Sequence, residues 1–280
     1  MKKSFITLML LFTAGAGINA QLLYRISGKD LKQDSYLFGT IHIMPKDNFQ
    51  MPPQVMDAIR TSSTIAMEID MNISLSDQME LIKLSTLPEG KTLKDFMTDT
   101  AYGKLKSYCM DSVGWNEAKF NRFSILKPIF FSSLVLQEKM GKQKSFEEEF
   151  KKIGKKQGKR LMGLETMKYQ METMDRISIE NQVKYLDSLS SMAEFNELFA
   201  LYQKEDINEL HAYISRETAS IPDFNHWFLD VRNTNWIPVI EKQIAAEQTF
   251  IAVGAGHLGG PKGVIELLRN QGYTVSGISK

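Results

Sequence analysis

The chain has 280 residues, 43% of them apolar and 24% charged, and its 34 Lys and Arg against 33 Asp and Glu leave a net charge of +1. So even a balance offers no basic face to nucleic acid. A lone cysteine, Cys109, cannot form an internal disulfide, so the fold is expected to rest on its core.

The first twenty residues have the three parts of a secretory signal: Lys2 and Lys3, an apolar run from Phe5 to Phe12, then small residues to Ala20. Cleavage is expected after Ala20, giving an exported protein, periplasmic or secreted, of charge near −1. The run is shorter than the ~20 apolar residues of a bilayer span, so no transmembrane anchor is expected in the mature chain. No Pro/Gly/Ser-rich linker divides residues 21–280, which suit one α/β domain.

Leu22 to Ile26 and Tyr36 to Ile41 read as strands, the second nearly all apolar as a strand covered on both faces should be. Pro52 and Pro53 open a helix through Arg60, and the strand Thr64 to Ile69 completes a β-α-β unit with a parallel pair. Residues 74–158 form a mostly helical insertion, with Leu75, Met79, Ile82 and Leu87 near one face and a long amphipathic stretch from Phe123 to Met140. Its methionines read as core packing, Cys109 as a small buried hydrophobe, and Glu147-Glu148-Glu149 with the lysines after it as a solvated helix. A strand Leu161 to Glu165 returns to the sheet, helices fill 168–246, and Thr249 to Val253, a glycine loop, a helix to Asn270 and a strand Tyr273 to Ile278 close the chain. The expected fold is α/β, a mostly parallel central sheet with flanking helices and a large helical insertion.

Two of the four histidines lie in one motif: Gly39-Thr40-Ile41-His42 and Gly254-Ala255-Gly256-His257, each after a predicted strand. Glu68 and Glu165 end two further strands. In open α/β sheets the ligand crevice lies at the carboxyl ends of the strands, so all four belong to that edge. Imidazole and carboxylate together suit Zn, Mn, Co or Fe. Four such groups exceed what a catalytic zinc needs, which leaves one acid for proton transfer, and a metal-bound water of pKa about 7 would supply hydroxide. Arg232 and Asn233 are candidates for polarising a carbonyl. No Gly-x-Ser-x-Gly, P-loop, His-Glu-x-x-His or Cys-x-x-Cys motif is present.

At these residues the chain resembles the TraB/GumN family, related to the Tiki metalloproteases and more remotely to erythromycin esterase and ChaN-like folds. The resemblance rests on Leu37 to His42, Met67 to Asp70, Gly163 to Thr166 with Gln170, Arg232-Asn233, and Val253 to Leu258 with Gly260 and Gly263. It implies an active centre of the two Gly-x-x-His motifs, the acid after the second strand and the Arg-Asn pair, and a divalent metal that serves to cut peptides. The expected function is then that of a metal-dependent hydrolase, a peptidase first of all, using a metal-activated water. His42 and His257 would be ligands, Glu68 and Glu165 would divide the roles of ligand and base, and Arg232 would stabilise the oxyanion. A haem- or ligand-binding module and a non-catalytic protein that sequesters a peptide are the alternatives. The substrate would be a peptide or small molecule.

Overall fold

The structure, a computed structural model, describes residues 21–70, 74–188 and 192–279; the predicted signal, residues 1–20, lies outside them. The described chain begins with β1 (Leu23–Ser27), β2 (Ser35–Thr40), the short β3 (Met44–Pro45), α1 (Pro53–Thr61) and β4 (Thr64–Ile69). The insertion follows as α2 (Leu75–Ser85), α3 (Asp99–Asp111), α4 (Glu117–Phe123), α5 (Pro128–Met140), β5 (Gln143–Lys144) and α6 (Phe146–Lys156). After β6 (Arg160–Glu165) come α7 (Met167–Met174), α8 (Ile179–Ser188), α9 (Met192–Gln203), α10 (Ile207–Glu217) and α11 (Val231–Ala246). The chain then closes with β7 (Thr249–Gly254), α12 (Val264–Asn270) and β8 (Thr274–Gly277).

Six strands form one sheet in the order β6-β4-β7-β2-β1-β8. The four from β6 to β2 are mutually parallel, and β1 runs antiparallel to both β2 and β8. The expected α/β fold with a mostly parallel sheet is therefore present. One expectation needs correcting. β2 and β4 are not neighbours, because β7, buried at every position, lies between them. Its side chains alternate between two cores as strand geometry requires: Ile251 and Val253 pack with Trp236 and Ile240, while Phe250 and Ala252 pack with Phe38, Ile65 and Phe150.

The insertion has a core of its own around Leu93, Cys109, Trp115, Phe120 and Phe131. Cys109 is buried there, its thiol pushed up to about 12 by burial, so it is inert at neutral pH. The stretch Phe123 to Met140 is not one helix. Pro128 has no amide N–H to continue α4, and it opens α5 instead. Leu75, Met79 and Ile82 do not pack a core: they are among the exposed large hydrophobics, because α2 meets the protein through its other faces. Among the described residues no helix is long and apolar enough to cross a membrane.

Candidate functional site

β2, β4, β6 and β7 deliver His42, Glu68, Glu165 and His257 to the same carboxyl edge, as their parallel register requires. Glu68 is the hub. Its Oε2 accepts from Arg232 Nη2 at 2.6 Å and Gln170 Nε2 at 3.2 Å, and its Oε1 accepts the Gly254 N–H at 2.7 Å. That same Oε1 stands 3.8 Å from His42 Nε2 and 3.7 Å from His257 Nε2.

The tautomer of His257 follows from its neighbours. Asn233 Nδ2 donates to the carbonyls of His257 and Lys262, so Asn233 Oδ1 must accept, and His257 Nδ1–H donates to it at 2.6 Å. His257 Nε2 is then a bare lone pair, which accepts from Arg232 Nη1 at 3.2 Å. His42 is oriented in the same way: its Nδ1 lies 3.2 Å from Glu147 Oε1, a carboxylate that also accepts from Thr40 and Ser145. Both rings thus have Nδ1 held from behind and Nε2 turned to one carboxylate oxygen, the outer-shell pattern of ligating histidines.

Arg232 binds the acids together. Nε and Nη2 reach Glu165 Oε1 at 2.9 and 2.7 Å, and Nη1 also donates to Phe228 O at 3.1 Å. With Glu68 and His257 these partners take hydrogen bonds from all three guanidinium nitrogens, four in all. The turn before α11 is a π-helix, His226–Asp230, which sets Phe228 O within reach of the guanidinium. Glu165 keeps its second oxygen on Trp236 Nε1 at 2.9 Å. Arg232 therefore stands between Glu165 and the Glu68 carboxylate that faces the imidazoles.

Charge is partitioned within each like pair. Burial raises the Glu68 carboxyl, but Arg232, both imidazoles and the Gly254 amide outweigh it and hold it below the carboxylate range. Glu165 has Arg232 and Trp236 only, and repulsion from Glu68, so burial leaves it raised. Burial, aided by the charges of Arg232 and His42, brings His257 down to about 3 against the pull of Glu68. Desolvation also opposes charge on His42, yet Glu68 and then Glu147 prevail and raise it to about 9. The His42 side chain is 61% exposed, so water shields part of the pull and the upward direction is what matters.

Among the described residues no three His, Cys, Asp or Glu side chains form a ready-made metal cluster. Donor atoms of one tetrahedral ion lie about 3.3–3.5 Å apart, given metal–ligand bonds of about 2.0–2.2 Å. Both imidazole–Glu68 separations exceed this by a few tenths of an ångström, and Arg232 Nη1 occupies the His257 Nε2 lone pair, so an ion on His42, His257 and Glu68 would require small side-chain shifts and release of that guanidinium contact. A Cβ built on Gly254 would enter the same niche, 3.2 Å from Glu68 Oε1, 3.4 Å from His42 Nε2 and 3.6 Å from His257 Cδ2. Neither Gly39 nor Gly254 has positive φ; close approach alone demands them, since a Cβ at Gly39 would meet Leu258 at 2.7 Å. Gly254→Ala should leave stability within about 1 kcal/mol of wild type, its φ of −54° suiting alanine. It should lower metal retention and turnover at least tenfold. Unchanged metal content by elemental analysis would mean that this niche holds no ion.

The triple-Glu run reads as a solvated face, yet Glu147 is 16% exposed and bonded to His42. Phe146 and Phe150 bury one face of α6, and Glu147 follows that face at its edge. Buried aromatics on both sides of an acidic run were the available signal. His211 and His226 lie apart from the network; His211 packs on Gly259 and Gly260.

The model of the TraB/PrgY/gumN family matches residues 22–277, every element of this site included. The chain belongs to the TraB/PrgY/gumN family. No curated protein and no solved structure matches it significantly. Within the family assignment, Glu68, Glu165, the Arg232-Asn233 pair and His257 are one hydrogen-bonded network in this chain, and His42, bonded to Glu147, faces it across 3.8 Å.

Proposed function

We propose that this TraB/PrgY/gumN member is an exported, metal-dependent hydrolase of peptide or related amide bonds, related in fold and chemistry to the Tiki, erythromycin esterase and ChaN groups. One observation carries the reading: the Nε2 atoms of His42 and His257 both face Glu68 Oε1, each ring fixed through Nδ1. Two imidazoles and one carboxylate are a hydrolytic ligand set that leaves a position open. A Mn, Co, Zn or Fe ion held there would supply a water acidic enough to be hydroxide near neutral pH and would polarise the scissile carbonyl.

The chain's own groups do the rest. His257 is neutral and has its lone pair directed inward. Arg232 keeps Glu68 ionised and aimed, Asn233 and Glu147 fix the two rings, and Glu165 with Trp236 anchors Arg232. Substrate reaches the site from the side of His42, whose ring is open to solvent.

The test is elemental analysis of exported protein together with a peptide-library digest under added Mn, Co or Zn. We expect a mature mass starting at Gln21, a bound divalent ion, and cleavage that stops with chelator. Cleavage that survives both chelation and His42→Ala would defeat the reading. A Soret band with no cleavage would replace it by haem binding.

A further inference from the structure

β6 is the last strand of the sheet, bonded to β4 on one side and to no strand on the other among the described residues. A cleft of about 510 Å³ runs along it, within the usual range for ligand sites. It is lined by every residue from 161 to 165 in succession. Successive strand side chains point to opposite faces of a sheet, so a cavity touching all five is walled by the strand's main-chain edge. An open edge presents N–H and C=O groups in the pattern that an extended chain satisfies.

The facing wall is α2, which turns Asp77, Glu80 and Leu81 to the cleft at helical spacing. Asp70 and Lys168 complete the charges there. Asp77 accepts from the Ser74 amide at 2.9 Å, and Glu80 lies 2.7 Å from Lys168. With Glu165 neutralised by Arg232, the other three carboxylates that line it against one ammonium leave a negative cleft. Glu165 ends the strand, lines the cleft and binds Arg232, which holds Glu68. From a strand added outside β6 to β7, the strand that leads to His257, is three strand spacings, about 14 Å, or about four residues of extended chain.

We propose that the cleft between the outer edge of β6 and α2 binds an extended, basic segment of a polypeptide substrate, about four residues from the bond cleaved. The segment adds to the sheet as a seventh strand and places a Lys or Arg side chain between Asp77 and Glu80. This rests on the hydrolase reading for its position relative to cleavage, and its test reads binding without turnover.

The probe is a fluorescein-labelled octapeptide alternating Val and Lys, titrated by anisotropy into the full mature chain carrying His257→Ala, so that it is not consumed. Saturable binding is expected, at least tenfold weaker for the Val/Glu counterpart and for Asp77→Asn/Glu80→Gln. Glu80→Gln alone, which leaves the α2 cap intact, should show a smaller loss in the same direction. Hydrogen exchange of amides 161–165 should slow on binding. Equal affinity for the two peptides, an unaffected double variant, or binding without protection of 161–165 overturns the proposal. So does protection of 161–165 that grows with protein concentration alone, which would mean that two copies pair through this edge. Binding as expected with no hydrolysis by wild type would retain the cleft and remove the hydrolase reading.

Discussion

Arg232→Met should lower folding stability by roughly 3–5 kcal/mol at pH 7, the usual cost of removing one partner from a buried ionic cluster. At about 2–4 °C per kcal/mol this is a fall in Tm on the order of 10 °C. The side chains of Arg232, Glu68 and Glu165 are each 6% exposed or less, so neither acid can recover its lost partner from water. Lysine should not rescue the site. A single ammonium cannot reproduce the fork that engages Glu68, Glu165, His257 and Phe228 O together.

The deficit should also depend on pH. In the wild type Glu68 titrates below its ordinary range, so its contribution is complete above the unfolded pKa of about 4.3 and fades as pH falls through the lower folded value. In the variant burial acts unopposed by the guanidinium, and both acids titrate above that unfolded value. Their penalty is then present at pH 7 and relieved as they take up protons below it. Denaturant unfolding at pH 7 and pH 4.5 should show the gap narrowing. A gap under 1 kcal/mol, or one that is the same at both pH values, would mean that Arg232 does not neutralise the pair.

The strand-end residues were legible because apolar runs followed by Gly-x-x-His or a terminal Glu announce both the strand and its ligand edge. His42, Glu68, Glu165, His257, Arg232 and Asn233 all lie at one site for that reason. Their division of labour was not legible. Which acid faces the imidazoles depends on where α11 threads Arg232 between β4 and β6, a tertiary fact with no local pattern. Strand order was hidden likewise, since β7 enters between β2 and β4 from almost the far end of the chain. The outward Leu75-Met79-Ile82 face of α2 defeats periodicity from the other side: the spacing is correct for a buried stripe, and nothing among the described residues covers it.

His42→Ala and His257→Ala should each abolish metal retention and turnover, whereas their supports should cost less. Asn233→Ala and Glu147→Gln remove only the group behind a ring, a change worth about 10–100-fold in metal affinity. The pH dependence of metal uptake separates the two histidines. A ligand nitrogen must be unprotonated. His257, at about 3, is already bare at any working pH and adds no slope. His42, raised to about 9 by Glu68 and Glu147, must give up its proton to the entering ion. Apparent affinity for Co or Zn should therefore climb about tenfold per pH unit between pH 6 and 8 and level off as His42 loses its proton unaided. Glu147→Gln removes one of the two charges that hold that proton, so its plateau should begin at lower pH even though its maximal affinity falls. Calorimetric titration of the metal-free protein at pH 6, 7, 8 and 9 reads both effects. Affinity independent of pH in the wild type would exclude His42 as the ligand that exchanges its proton for metal, and a Glu147→Gln plateau at the wild-type pH would show that Glu147 does not act on the ring it touches.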